Sequence, residues 1–326
     1  MSGLLFHPDL IKGDLATACP ACHGSELQSL GDVPQAFHFC SFIYRHPINC
    51  AKLMACGTCD FHFKNPCLSL AILDDLYRRQ PATVWGSTVE GREDVAEIIS
   101  VLEQMERRDI RILDVGCYTG ALLHALAEHF QTRKNLLLHG VEPSGEAAAQ
   151  AATHGIRILG SSIADLDAFS RFDIILLTDV FEHILHSKDF LQTLSGLLSP
   201  GGQLVVMTGA FDSGPFSKHR STFHYCAMPE HLAFISRKHS DWLARQLELE
   251  LVEYKLISHA SRAPSRIKSL AKSLIYWAGR GIPASWLSGD LPVVREFARL
   301  RGMGVQNLTG QPDHAFVVFR RPTDAA

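Results

Sequence analysis

The period of the apolar positions changes along the chain. Between Arg111 and Thr208, short β-rich runs (RILDV, LLLHGVE, IRIL, DIILLT and QLVVMT) alternate with ALLHALAEHF, SGEAAAQAATHG and FLQTLSGLLS, where apolar residues recur every three or four positions. This alternation predicts βαβ units and a mainly parallel sheet covered on both faces. Two of the intervening helices meet stop signals, at Gly155 and near Pro200-Gly201-Gly202. Upstream, Leu70, Leu73 and Leu76 predict one helix in SLAILDDLYRRQ. Val95, Ile98, Ile99 and Leu102 predict another in EDVAEIISVLEQM, after a short loop around residues 81–91. Residues 1–66 show few regular apolar periods and carry turn signals at Cys19-Pro20 and His23-Gly24. Residues 209–233 read as a loop-like insertion rich in His, Ser and aromatics. A helix (RKHSDWLARQLE), a strand (LVEYKLI), an amphipathic helix over 262–280 and a final strand (HAFVVFRR) complete the pattern. The expected organisation is a cysteine-rich domain at 1–66, a helical connector at 67–108, and an α/β domain at 109–326 carrying the 209–233 insertion and a basic helical segment at 261–289.

Length and composition narrow the function classes. The 326 residues suggest about two structural units. Hydrophobic residues make up 46% and charged residues 20%, as in ordered globular chains. Lys+Arg 31 against Asp+Glu 34 leaves a formal charge of −3, which sets aside a wholesale nucleic-acid binder; no DNA partner is expected and RNA is disfavoured. No apolar run approaches the ~18 residues that span a bilayer. The opening MSGLLFHPDLIKGD lacks the features of a secretory signal, so a cytoplasmic location is expected.

The segment RILDVGCYTGALLHAL combines a strand, a glycine turn and a helix, with Asp114, Gly116, Cys117 and Gly120 at the strand's C-terminal end. Such glycines let the backbone turn sharply and approach a ligand, and a helix N-terminus offers free N–H groups. Glu142 ends the next strand, 22 residues beyond Gly120 (142 − 120), where a carboxylate can accept two hydrogen bonds from a ribose diol; a solvent-exposed Glu, with Ser144 as the helix cap, is the plainer alternative. Together with FDIILLTDVFEHI and LSGLLSPGGQLVVMT, these motifs resemble class I S-adenosylmethionine (SAM)-dependent methyltransferases over about residues 110–260 plus the final strand. Tyr118 stands where that family's D-x-G-x-G-x-G has its middle glycine. The resemblance implies a Rossmann-like, seven-stranded, mainly parallel sheet. It also implies that Asp114, Gly116, Cys117 and Gly120 cradle the amino-acid end of SAM and that Glu142 holds the ribose. Ser162 and Ile163 would then flank the adenine, with Asp179 facing the methionine moiety.

The nine cysteines are unevenly placed, seven of them before residue 68. Cys19-Pro-Ala-Cys22 and Cys56-Gly-Thr-Cys59 form two C-x-x-C knuckles separated by 33 residues, a set that can place four thiolates around one Zn²⁺. His23, His62, Cys50 and Cys67 are alternative fourth ligands. CPAC…ACGTCDFHFKNP also resembles the N-terminal zinc ribbon fused to many bacterial methyltransferases associated with sugar or polysaccharide modification. That resemblance implies a structural zinc and a nucleotide-sugar or glycan acceptor.

O-methylation needs a group to take the hydroxyl proton, and His is the usual one. The candidates are His231, preceded by Glu230, and, in reserve, His183 of the Glu182-His183 pair, which in this family often supports loop geometry. The 230–231 pair resembles the catalytic Glu-His of sugar C-methyltransferases. Met228, in place of their tyrosine, argues against C-methylation of a ketosugar. Residues 261–289 hold Arg262, Arg266, Lys268, Lys272 and Arg280 and no acid. They read as a contact for an anionic membrane surface or a phosphate-bearing acceptor, or as a packing helix with a solvated basic face. Two rival functions are an RNA methyltransferase and a non-catalytic SAM- or partner-binding scaffold. The ribbon's four basic residues (Lys12, Arg45, Lys52 and Lys64) against five acids in residues 1–70 weigh against the first.

Overall fold

The computed structural model describes residues 15–36, 38–39, 42–43, 51–85, 89–258, 266–280, 282, 286 and 292–323. Cys40, Cys50 and Arg262 lie outside them.

The main sheet has seven strands: β6 (Asp109–Val115), β7 (Asn135–Val141), β8 (Arg157–Gly160), β9 (Phe172–Thr178), β10 (Leu198–Gly209), β12 (Glu250–Ile257) and β13 (His314–Arg320). Their order is β12-β13-β10-β9-β6-β7-β8, all parallel except β13, which runs antiparallel to β10 and β12. The strands predicted from the apolar runs are all present. The central strands are apolar on both sides because both faces are covered. Ile112, Ile174, Leu176, Val205 and Met207 join one core layer; Leu113, Ile175, Leu177, Leu204 and Val206 join the other.

Helices α1 (Leu70–Arg78) and α2 (Glu93–Gln104) precede the sheet, and α3 (Ala121–Phe130), α4 (Gly145–Thr153), α5 (Ser187–Gly196) and α8 (Arg237–Gln246) connect its strands. Ser144 caps α4 by accepting the Ala147 N–H at 3.4 Å, and Ser236 caps α8 by accepting the His239 N–H at 3.1 Å.

The 209–233 insertion is more structured than its composition suggests. It holds α6 (Gly214–His219), a 3₁₀ turn at Arg220–Thr222, and α7 (His224–Ala227). Ser213 caps α6 with Pro215 in its first turn, a short-range start signal inside a segment with no apolar period. The chain then adds β11 (Ala233–Phe234) to the N-terminal sheet, whose other strands are β1 (Leu27–Asp32), β4 (Lys52–Cys56) and β5 (His62–Asn65), in the order β1-β4-β5-β11. A two-residue pair, β2 (His38–Phe39) with β3 (Phe42–Ile43), lies apart. The cysteine-rich segment is also continuous with the main core, because Cys19, Cys56, Cys59, Phe61 and Phe63 share a layer with Leu177 and Phe181. Phe61 and Phe63 are completely buried, each worth about 1.5–3 kcal/mol relative to exposure. Two helices, α9 (Arg266–Gly279) and α10 (Pro292–Arg301), lie between β12 and β13; α10 had no counterpart in the apolar pattern. Among the described residues no helix is long and apolar enough to cross a membrane.

Candidate active site

Strand order reverses between β6 and β9, and the crevice of an open α/β sheet opens at the strand C-termini beside such a point. A cavity of about 980 Å³ lies there, large for a small-molecule site. Its wall includes Asp114, Gly116, Cys117, Glu142, Ser162, Ile163 and Asp179 and also His183, Glu230 and His231, so one space joins nearly all of the residues singled out from sequence. Gly120 is absent from that wall and acts from behind it.

Gly116 and Gly120 take φ of +74° and +77°. A Cβ on Gly116 would stand 2.7 Å from Val180 Cγ2. On Gly120 it would stand 2.2 Å from Ile156 Cδ1 and 3.1 Å from Ala151 Cβ. Gly120 therefore allows α3 to start against α4 and Ile156, just ahead of β8. Gly120→Ala combines this clash with left-handed strain and is expected to cost about 1–3 kcal/mol and to weaken SAM binding at least tenfold, read by thermal melting and calorimetry. Tyr118 keeps the left-handed turn without being glycine (φ +49°). Its N–H donates to Glu142 Oε2 at 2.8 Å, its hydroxyl accepts the Trp85 N–H at 3.2 Å, and its ring meets Trp85 edge-on. These contacts offset a backbone cost of about 1–2 kcal/mol. Cys117 lines the cavity, but its sulfur packs against Gly140 and burial pushes its thiol up.

Asp114 is buried, and its Oδ1 has no hydrogen-bond partner among the described residues. Burial, with Glu142 nearby, pushes its carboxyl up to about 8. A buried acceptor aimed into a cavity without a partner fits a cationic ligand group. Glu142 is buried, and its Oε1 and Oε2 each accept one backbone N–H, from Ser144 and Tyr118, leaving a second lone pair on each oxygen. Ser162 caps a 3₁₀ turn (Ile163–Asp165) in a capping box with Asp165, which holds the loop at the cavity edge.

Arg92 was not evident from sequence. It stands at the start of α2, bidentate to the fully buried Asp94 (3.0 and 2.7 Å), and its Nη2 also reaches Asp179 Oδ2 at 3.2 Å. The only signal was an Arg-x-Asp pair heading an apolar helix. Tyr77 and Trp85 were missed as well; both line the cavity on the side of α1.

His183 and His231 meet edge to face, with ring centroids 5.2 Å apart. His231 is buried, and its Nδ1–H donates to Tyr225 O at 3.1 Å, which leaves the Nε2 lone pair unprotonated. Burial, helped by His183, holds its pKa well below the ordinary histidine value. His183 Nδ1 lies 2.7 Å from the Tyr77 hydroxyl and 3.0 Å from Glu230 O. Glu182 has both carboxylate oxygens engaged, by the hydroxyls of Thr208 (2.7 Å) and Tyr225 (2.5 Å). It ties β10 to the insertion. Lys64, fully buried on β5, donates to Met228 O; burial drives its ammonium down to about 8. This contact anchors the Met228–His231 segment to the N-terminal sheet.

The four knuckle cysteines converge. Their sulfurs lie within 4.8 Å of one another, with Cys19–Cys59 at 3.7 Å and Cys22–Cys56 at 3.5 Å. A tetrahedron of sulfurs with Zn–S of ~2.3 Å has edges of ~3.8 Å. The knuckles are alike: His23 and Asp60 each take φ near +58° (59° and 57°) and donate their N–H to the first cysteine's carbonyl, at 2.8 and 2.9 Å. Cys22 Sγ also accepts the Gly24 N–H at 3.4 Å. The described alternatives, His23, His62 and Cys67, are not part of this cluster.

The 3-2-1-4-5-7-6 order (counting strands from β6), the glycine turn after the first of them and the acidic end of the second define the Rossmann-like fold of class I SAM-dependent methyltransferases. A family model described as "Methyltransferase domain" matches residues 89–254, about half of the chain, and the chain belongs to that family. Among curated proteins it is similar to the ubiquinone biosynthesis O-methyltransferase of Nitrobacter winogradskyi, 35% identical over 105 residues (30% of this chain, 38% of that protein). It is similar also to the protein of that name from Bradyrhizobium sp. (strain ORS 278), 36% identical over 105 residues (30% and 40%). These alignments span about two fifths of the relatives' length. Among solved structures, the N-methyltransferase NodS from Bradyrhizobium japonicum in complex with S-adenosyl-L-homocysteine aligns with a TM-score of 0.45 at 14% identity, covering 78% of this chain and 98% of that one.

Proposed function

We propose that the protein is a SAM-dependent O-methyltransferase acting on a hydroxyl of a sugar-containing acceptor, a nucleotide sugar or a glycan. The observation that carries the reading is the single cavity joining the Asp114–Glu142 end of the crevice to His183 and His231. When bound, SAM supplies an electrophilic methyl group on a sulfonium. The chain's own residues hold it and prepare the acceptor. Asp114 and Arg92 receive the amino-acid end, the carboxylate taking the ammonium and the guanidinium the carboxylate. Gly116 gives the backbone its close approach, and Glu142 accepts from the ribose hydroxyls. Ser162 and Ile163 border the adenine, and Asp179 faces the methionine portion while holding Arg92. His231 Nε2 takes the hydroxyl proton, with its ring oriented by Tyr225 O and its segment held by Lys64 and by the His183 contact to Glu230 O. Tyr77 and Trp85 offer an apolar wall on which a sugar ring or an aromatic acceptor stacks.

Four buried or half-buried cysteines at tetrahedral spacing fit a closed Zn²⁺ site with no open position. Such a zinc is structural.

Asp114 gives the cofactor part of this reading a pH signature. The ionised carboxylate is the form that pairs with a cation, and its pKa before binding is about 8. SAM affinity is therefore expected to rise with pH towards about 8 and to level off above it. In calorimetry Asp114→Asn should abolish the slope and weaken binding at least tenfold; a slope that persists in the variant removes Asp114 from the contact.

A second reading has a specific support: the curated relatives carry the name of an O-methyltransferase of ubiquinone biosynthesis. A phenolic acceptor is consistent with Tyr77 and Trp85. Methyl transfer from isotope-labelled SAM into fractionated cell extract separates the readings. Label in nucleotide sugars or glycan supports the sugar acceptor, and label in a quinone or phenol fraction supports the second. Label in RNA or protein keeps the methyltransferase and overturns both acceptors.

A further inference from the structure

Helix α9 is inverted relative to an ordinary surface helix, which turns its apolar stripe to the core and its polar face to water. Ser269, Ser273 and Tyr276 are the buried face. Ser273 Oγ accepts the Gln306 N–H at 3.1 Å, and Ser269 lines the cavity. The apolar stripe points outward: Ile267, Leu270, Leu274 and Trp277, at spacings of three, four and three, are 81%, 49%, 58% and 47% exposed. Four large apolar residues in one exposed row mark a contact surface rather than scatter.

The charges identify the occupant. Helix α9 carries no Asp or Glu. At 3.6 residues per turn, half-buried Lys272 sits on the protein side, whereas exposed Lys268 falls at the edge between the outward face and the buried serine face. That is where lysines of an in-plane interfacial helix reach lipid headgroups while the stripe enters the acyl boundary. Arg280, just past the helix, lies over the Trp277 ring, 4.9 Å from its centroid. Beside α9, α10 adds Val293, 73% exposed.

We propose that α9 docks the protein on an anionic lipid surface through Ile267, Leu270, Leu274 and Trp277, with Lys268 and Arg280 on the headgroups. The proposal goes beyond the methyl-transfer reading and is independent of it: it rests on the burial pattern of α9, and its test needs neither SAM nor acceptor. Ser269 opens onto the cavity from the opposite face of the helix, so docking would place one cavity wall directly beneath the membrane.

The test is co-sedimentation of the full chain with vesicles of phosphatidylcholine mixed with phosphatidylglycerol, against phosphatidylcholine alone. Pelleting with the mixed vesicles, weakening as salt is raised, is expected. Leu274→Glu should reduce it at least tenfold. Lys268→Gln and Arg280→Gln should each reduce it about fivefold. These side chains leave the buried face intact, so melting temperatures should match the parent's, and a shift of tryptophan emission on vesicle addition that Trp277→Phe reduces gives a second readout. No pelleting, equal pelleting with neutral vesicles, or full pelleting of Leu274→Glu overturns the proposal. So does a dimer in solution that Leu274→Glu converts to monomer without any vesicle binding, which would assign the stripe to a second copy of this chain.

Discussion

His231→Asn is expected to lower kcat by about 10²–10⁴ while leaving the SAM dissociation constant nearly unchanged, the range a positioned general base supplies. Asparagine keeps a donor where Nδ1–H meets Tyr225 O but has nothing at the Nε2 position, so the substitution removes the proposed base and spares the packing. The wild-type pH profile is the companion measurement. A general base works in its neutral form, and the pKa of His231 lies well below the ordinary histidine value because of burial. The acid limb of kcat should therefore fall well below pH 6.5, with activity level from there to neutrality. Turnover unchanged in His231→Asn would exclude this residue. A loss confined to His183→Asn would shift the role to the neighbour that Tyr77 and Glu230 O hold.

Loss of the zinc proposed for the knuckles is expected to have the largest effect on stability. Cys56→Ser should reduce bound zinc from one equivalent per chain and lower the melting temperature by an amount corresponding to several kcal/mol. It should also abolish methyl transfer, although no cysteine of the cluster lines the cavity. The reason is continuity. Cys19, Cys56 and Cys59 share a core layer with Leu177 and Phe181, His239 of α8 meets Cys59 O at 3.0 Å, and Ser236 donates to Asp60 at 2.6 Å. Through β5, the same sheet pairs with β11 and holds Met228 by Lys64. An unfolded ribbon thus releases the segment that carries His231. Mass spectrometry and metal analysis of the native chain, with melting of Cys56→Ser, check this. A zinc-free chain whose Cys56→Ser variant melts at the parent's temperature would show that the cluster does not hold the fold together.

Much of the molecule was legible before its tertiary structure. A strand buried on both faces must be apolar throughout, and a covering helix must repeat apolar residues every three or four positions, so RILDV, DIILLT and QLVVMT and the helices between them announced themselves. Asp114, Gly116 and Glu142 were legible for a related reason, since the ends of adjacent parallel strands are neighbours by topology. The knuckles declared themselves by spacing alone. The 209–233 insertion did not, because α6 and α7 are too short to show a period and β11 owes its place to β5 rather than to its own sequence.

Local pattern by itself therefore determined the sheet, its connecting helices, the glycine turn and the cysteine pairs, all of which are set within a few residues or by neighbouring strands. Long-range packing decided the rest. It brought Arg92 to Asp179 across 87 residues, saturated Glu182 with Thr208 and Tyr225, and joined the N-terminal sheet to the catalytic core. It also turned the serines of α9 inward and its leucines out. A helical period specifies that two faces differ, but which face meets the protein depends on the surface waiting there, and that surface is built from residues far away in the chain.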